Sequence, residues 1–130
     1  MSKPFFDTNV LLYLASDDEH CVRRSTEILA AGGAISVQVL NEFVSVSRGK
    51  HRLDWDEVEM WLEAFRSTLD VEPVTPDVQA RATQLARRHQ IHIYDATILA
   101  AAEQAGCDVL YSEDLQHGAT IAGVEIRNPY

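Results

Sequence analysis

Gly32-Gly33-Ala34-Ile35-Ser36-Val37-Gln38-Val39-Leu40-Asn41-Glu42-Phe43 packs a helix stop, a short strand and a helix start into twelve residues. The paired glycines end the helical stretch before them, as glycine does at helix C-termini. Ala34-Ile35-Ser36 is a brief apolar run bounded by that stop. Val39, Leu40, Phe43, Val44 and Val46 then form a broad apolar helical face that ends at Gly49. A strand entered from one helix and left into another is the unit from which parallel sheets are built.

The same alternation extends in both directions. Upstream, Pro4-Phe5-Phe6 reads as a first strand stopping at Asp7, with a short helix through Val10, Leu11 and Leu14. Glu19 to Ala31 carries Val22, Ile28 and Leu29 at helical spacing. Downstream, Asp54-Trp55-Asp56-Glu57 is an N-terminal capping sequence for a helix through Val58, Trp61, Leu62 and Phe65. Leu69-Asp70-Val71-Glu72 predicts a third strand. Thr75-Pro76 is a cap followed by proline at the first helical position, and Val78, Ala82, Leu85 and Ala86 form the buried stripe. Ile91-His92-Ile93 is a strand-like run leading into a helix from Tyr94 to Ala105, with Gly106 as its stop. Asp108-Val109-Leu110-Tyr111 predicts a fourth strand and Val124-Glu125-Ile126 a fifth. Residues 1–130 show no repeat, linker or low-complexity tract, so one α/β domain is expected, with a mainly parallel sheet of four to five strands flanked by helices.

Bulk properties narrow the classes. The chain has 130 residues, 46% hydrophobic and 24% charged, an ordinary globular balance. No apolar run approaches a membrane span, and the apolar start stops at Asp7, too soon for a signal-peptide core; a soluble, cytoplasmic protein is expected. Cys21 and Cys107 are not at metal-ligand spacing and read as free thiols. The formal charge of −9 is opposite in sign to that of most nucleic-acid binders. The cations are bunched, however, in Arg23-Arg24, in Arg48-Gly49-Lys50-His51-Arg52 and in Arg87-Arg88-His89. Two readings of these runs stand: phosphate contacts, with Arg48, Lys50 and Arg52 as candidate substrate-binding residues, or solvated helix ends that meet an acidic partner.

Most acidic residues, among them Asp54, Asp56, Glu57, Glu59 and Glu63, belong to a solvated face. Four stand apart by position. Asp7 and Asp114 follow strands, while Glu42 and Asp95 sit in the first turns of helices. Strand C-termini and the N-termini of the following helices share one edge of a parallel sheet, the edge where ligands bind. Taken singly, Asp7 is explained as a helix cap and Asp95 by the helix dipole. Glu42 and Asp95 are nevertheless flanked by apolar neighbours, where an ionised carboxylate needs a partner. The chain has only Lys3 and Lys50 as lysines. A carboxylate cluster without a resident cation suits Mg²⁺ or Mn²⁺, which prefer oxygen donors, and carboxylate-held Mg²⁺ supports phosphodiester hydrolysis. The histidines form no ligand pair, and His92 is expected to be a packed or surface residue.

The blocks Phe6-Asp7-Thr8-Asn9-Val10-Leu11-Leu12-Tyr13, Asn41-Glu42-Phe43, Ile93-Tyr94-Asp95-Ala96-Thr97-Ile98 and Tyr111-Ser112-Glu113-Asp114 together resemble the PIN-domain nucleases. The resemblance is nearer still to the toxin half of VapBC-type toxin–antitoxin pairs. Each block is weak alone; their order and spacing across the chain carry the likeness. It implies a Rossmann-like three-layer fold, a Mg²⁺- or Mn²⁺-dependent endoribonuclease, a homodimer, and a cognate antitoxin that inhibits it. It maps the acidic quartet onto Asp7, Glu42, Asp95 and Asp114, all expected as catalytic metal ligands, with Asn9 and Ser112 as auxiliary polar positions. The alternatives are a catalytically silent fold of the same kind that binds RNA or protein, and a receiver-like phospho-acceptor domain. The latter wants a lysine near the end, and none follows Lys50. A haloacid-dehalogenase-like phosphatase wants Asp-x-Asp after the first strand, where Asn9 stands instead.

Overall fold

In the computed structural model, residues 3–130 are described. Their strands are β1 (Phe5–Phe6), β2 (Ala34–Ser36), β3 (Asp70–Glu72), β4 (Val109–Tyr111), β5 (Thr120–Ile121) and β6 (Val124–Arg127). The helices are α1 (Thr8–Leu14), α2 (Glu19–Ala30), α3 (Val37–Gly49), α4 (Trp55–Thr68), α5 (Pro76–His89) and α6 (Ile93–Gln104). The sheet runs in the order β3-β2-β1-β4-β6-β5, parallel throughout except for the antiparallel β5–β6 pair. The chain steps outward from β1 to β2 and β3, then returns to β4 on the other side of β1. That reversal opens a crevice at the carboxyl ends of β1 and β4. Helix α6 lies against β2, β4 and β6, and α5 packs on α6.

The cap residues read from sequence behave as their chemistry dictates. Asp54 accepts the Glu57 N–H at 2.8 Å, and Thr75 accepts the Val78 N–H at 3.1 Å ahead of Pro76. Phe5, Phe6, Ile35, Leu110 and Ile126 bring the sheet into the core without exposure, joined by Phe43 of α3 and by Ile98 and Leu99 of α6. Helix α6 is buried continuously from Ala96 to Ala102, which fits its sandwiched position. A Cβ placed on Gly33 would lie 2.5 Å from a ring carbon of Phe6 and 2.6 Å from the Pro4 carbonyl oxygen. The approach of β1 to β2 therefore depends on glycine there. Both cysteines are free and buried. Among the described residues no helix is long and apolar enough to cross a membrane.

Two sequence expectations need correction. The sheet has six strands, because Thr120-Ile121 forms β5 and pairs with β6 through the two-residue turn Ala122-Gly123. Both turn residues have positive φ, 53° and 78°, the geometry that suits a tight hairpin. A two-residue strand has no periodicity to betray it. Ile91-His92-Ile93 forms no strand: His92 is extended in backbone, but Ile93 already opens α6. Gln90 turns the chain in the left-handed region at φ 54°, and His92 caps α6, its Nδ1 accepting the Tyr94 N–H at 3.1 Å.

Candidate active site

The crevice between β1 and β4 is floored by residues that directly continue those strands. The Asp7 N–H donates to the Tyr111 carbonyl at 3.0 Å, and the Ser112 N–H donates to the Arg127 carbonyl at 3.0 Å. Asp7 and Ser112 are thus fixed by sheet backbone on either side of the switch point. Asp7 is also a true helix cap, with Oδ1 accepting the Thr8 N–H at 2.7 Å. The cap and site readings of this residue hold together. Its second oxygen, Oδ2, accepts the Ser112 hydroxyl at 2.6 Å. The same hydroxyl oxygen accepts the Asp114 N–H at 3.1 Å, and Asp114 Oδ2 accepts from Asn9 Nδ2 at 3.1 Å. The Ser112 hydroxyl therefore ties Asp7 to Asp114, and Asn9 holds Asp114 from the other side.

Glu42 and Asp95 reach the same rim from helices. Glu42 lies in the second turn of α3, and its Oε2 accepts the Thr8 hydroxyl at 3.1 Å. Asp95 sits in the first turn of α6. The four are linked by their mutual charge effects. Burial pushes the Asp7 carboxyl up to about 7; the Ser112 and Thr8 hydrogen bonds oppose this, and the charges of Asp114 and Asp95 add to it. Glu42 is raised by burial and then by Asp95 and Asp114, against the pull of Thr8 and Gln38. Asp95 is raised by burial and by Asp114, with His92 opposing.

No basic side chain neutralises this group. The ion pairs among the described residues are Lys3–Asp70, Arg24–Glu27, Arg81–Glu103 and Arg127–Glu125, all elsewhere. Among the described residues, no three or more Asp, Glu, His or Cys side chains stand close enough as placed to hold a metal ion. The donor set is nonetheless one that a hard divalent cation takes: all oxygen, acidic and uncompensated. Asn9 adds a further oxygen, since its buried Oδ1 has no hydrogen-bond partner.

The candidate basic residues do not form one patch. Arg48 donates to the Leu53 carbonyl at 3.0 Å and lies over the Trp55 ring at 4.5 Å, serving the turn after α3. Arg52 occupies that turn at φ 56°. Lys50 and His51 line a cleft of about 180 Å³ with Asn9, Tyr13 and Glu113, beside the acidic rim. Sequence reading passed over Thr8, which holds Glu42. The available signal was a hydroxyl next to Asp7 at a helix start.

The PIN domain family profile matches residues 5–120, and the chain belongs to that family. Solved structures agree. A toxin–antitoxin complex from Klebsiella pneumoniae is 27% identical, covering 98% of both chains with a TM-score of 0.73. The DNA-bound VapBC structure from Salmonella typhimurium is 24% identical, covering 100% of both chains, again with a TM-score of 0.73. VapC20 of Mycobacterium tuberculosis, described as a sarcin-ricin loop cleaving toxin, is 21% identical over 84% of this chain and 88% of that one, with a TM-score of 0.71. The last two likenesses carry the fold alone. No curated protein sequence matches the chain.

Proposed function

We propose that the protein is a divalent-metal-dependent endoribonuclease, the toxin of a toxin–antitoxin pair, acting as a homodimer on RNA phosphodiesters in the cytoplasm. What supports this reading is that Asp7, Glu42, Asp95 and Asp114 come from the β1/β4 crevice rim and the helices beside it, that charges within the set raise the pKa values of Asp7, Glu42 and Asp95, and that no ion pair among the described residues involves them. The antitoxin partner is supported by the likeness to the toxin–antitoxin complex from Klebsiella pneumoniae, and the homodimer by the family resemblance alone.

Asp7, Asp95 and Asp114 would hold Mg²⁺ or Mn²⁺, with Glu42 at the margin. The ion would supply Lewis-acid polarisation of the phosphate and stabilise the leaving oxygen. The chain's own groups do the rest. Ser112 and Asn9 orient Asp7 and Asp114. Thr8 engages one oxygen of Glu42, leaving the other to orient the attacking water and take its proton. A carboxylate raised above its ordinary range is the better base near neutral pH. In-line attack on phosphorus forms the new P–O bond as the P–O3′ bond breaks, giving a 5′-phosphate and a 3′-hydroxyl.

Total RNA incubated with the purified protein in Mn²⁺ or in EDTA tests this. Cleavage is expected with the metal only. Asp95→Asn is expected to lower the rate by a factor on the order of 10²–10³, the scale seen when one electrostatic element of a site is removed. Equal cleavage in EDTA, or full turnover by Asp95→Asn, would overturn the assignment.

A further inference from the structure

A second cleft, of about 290 Å³, adjoins the acidic rim and is lined by Gln38, Asn41, Glu42, Ser45 and Tyr94. Gln38, Asn41, Glu42 and Ser45 follow one another on a single face of α3 at helical spacing. Tyr94 faces them from the first turn of α6, one residue before Asp95. Tyr94 is 54% exposed. The ring is also braced: His92 packs against it edge-on at 4.7 Å, and the His92 Nδ1 accepts the Tyr94 N–H. Opposite it, the exposed Asn41 and Ser45 side chains hydrogen-bond to no described residue, while Gln38 hydrogen-bonds to Glu42.

An immobilised, solvent-facing aromatic opposite free amide and hydroxyl groups is the chemistry that recognises an unstacked nucleobase. The ring takes the face of the base, and the polar groups take its edge. Because Glu42 belongs both to this cleft and to the acidic rim, a base held here belongs to a nucleotide adjoining the attacked phosphate. We propose that the cleft between α3 and the start of α6 is a nucleobase subsite. In it, Tyr94 stacks one base of a single-stranded RNA, and Asn41 and Ser45 read that base's edge. The proposal rests on the RNA-cleaving reading of the adjoining site but does not need turnover. The net charge of −9 makes a stacking contact more valuable here than in a basic protein, since phosphate attraction contributes less.

The test is binding in EDTA, where no cleavage is expected. Single-stranded oligoribonucleotides carrying one 2-aminopurine, moved along the strand, are titrated with the wild-type protein, Tyr94→Ala and Tyr94→Phe. Quenching at one position is expected with the wild type and Tyr94→Phe. Tyr94→Ala is expected to lose the quench and to bind roughly five- to a hundredfold more weakly, the worth of one stacked base. Melting curves should match the wild type, since the side chain is exposed. No quench with the wild type, or quench and affinity unchanged in Tyr94→Ala, would overturn the subsite and leave the cleft to a protein partner. A protein that quenches but never cleaves keeps the subsite and loses the nuclease; one that cleaves without dependence on Tyr94 does the reverse.

Discussion

The four rim carboxylates fall into two pairs that are built differently. Asp7 and Asp114 follow strands and are linked through the Ser112 hydroxyl, with Asn9 holding Asp114 and Asp7 only 2% exposed. Glu42 and Asp95 ride on helices and are half-buried. Glu42 is held by Thr8 and Gln38, and Asp95 accepts no hydrogen bond from a described residue. The strand pair is set by backbone geometry before anything binds. The helix pair is placed by α3 and α6 but keeps side-chain freedom. A site of this kind has one rigid half that defines where a cation sits and one adjustable half that can follow a reacting group.

Rigidity at Asp7 comes with an electrostatic strain that is measurable without any metal. Its carboxyl is raised from 3.8 to about 7. Between those values the folded protein binds more protons than the unfolded chain, so stability falls as pH rises through that window and levels off above it. The expected loss is up to about 4 kcal/mol at 1.36 kcal/mol per unit, read from denaturant melts in EDTA at pH 4.5 and 8. Asp7→Asn should flatten the curve. An unchanged slope in that variant would place the strain elsewhere and break the distinction between the pairs. Mn²⁺ should raise the melting temperature more at pH 8 than at pH 5.5, because it competes with the proton for the same oxygens.

Removing the tie between the strand-side acids should cost less. Ser112→Ala deletes a donor to Asp7 and an acceptor for the Asp114 N–H, and about a 10- to 100-fold loss of metal affinity is expected on the scale of groups that support metal ligands. Isothermal titration with Mn²⁺ would read it, and an unaltered affinity would mean that the strand pair does not depend on its tie. The smallest effect belongs to the helix side. Thr8→Val removes one part-buried hydrogen bond to Glu42 and should cost about 1 kcal/mol or less in stability, with the rate reduced only a few-fold. A loss as large as that of Ser112→Ala would show Glu42 to be as firmly placed as Asp7.

What the sequence disclosed follows from the same contrast. Asp7 was legible because an apolar run ends directly before it, Asp114 because it follows the fourth apolar run after Ser112 and Glu113, and Glu42 because Gly32-Gly33 and Ala34-Ile35-Ser36 fix where its helix begins. Strand β5 was hidden by its length, and the cap role of His92 by apolar neighbours that imitate a strand. Arg48 reads in sequence either as a phosphate contact or as a solvated helix end; its guanidinium is turned to the Leu53 carbonyl and the Trp55 ring, a tertiary choice that residue order does not encode. Tyr94 was invisible as a surface feature because the helix after it is buried on nearly every side, leaving no polar face to mark which way position 94 looks.

Gly33 has no chemistry and stands outside the rim, yet the ring it must clear belongs to Phe6, the residue directly before Asp7. A single methyl group introduced there would wedge the two central strands apart and tip the first acid out of register with its partners. Loss-of-function variants of this protein should therefore arise at a position whose sole requirement is emptiness, and a search confined to charged side chains would pass it by.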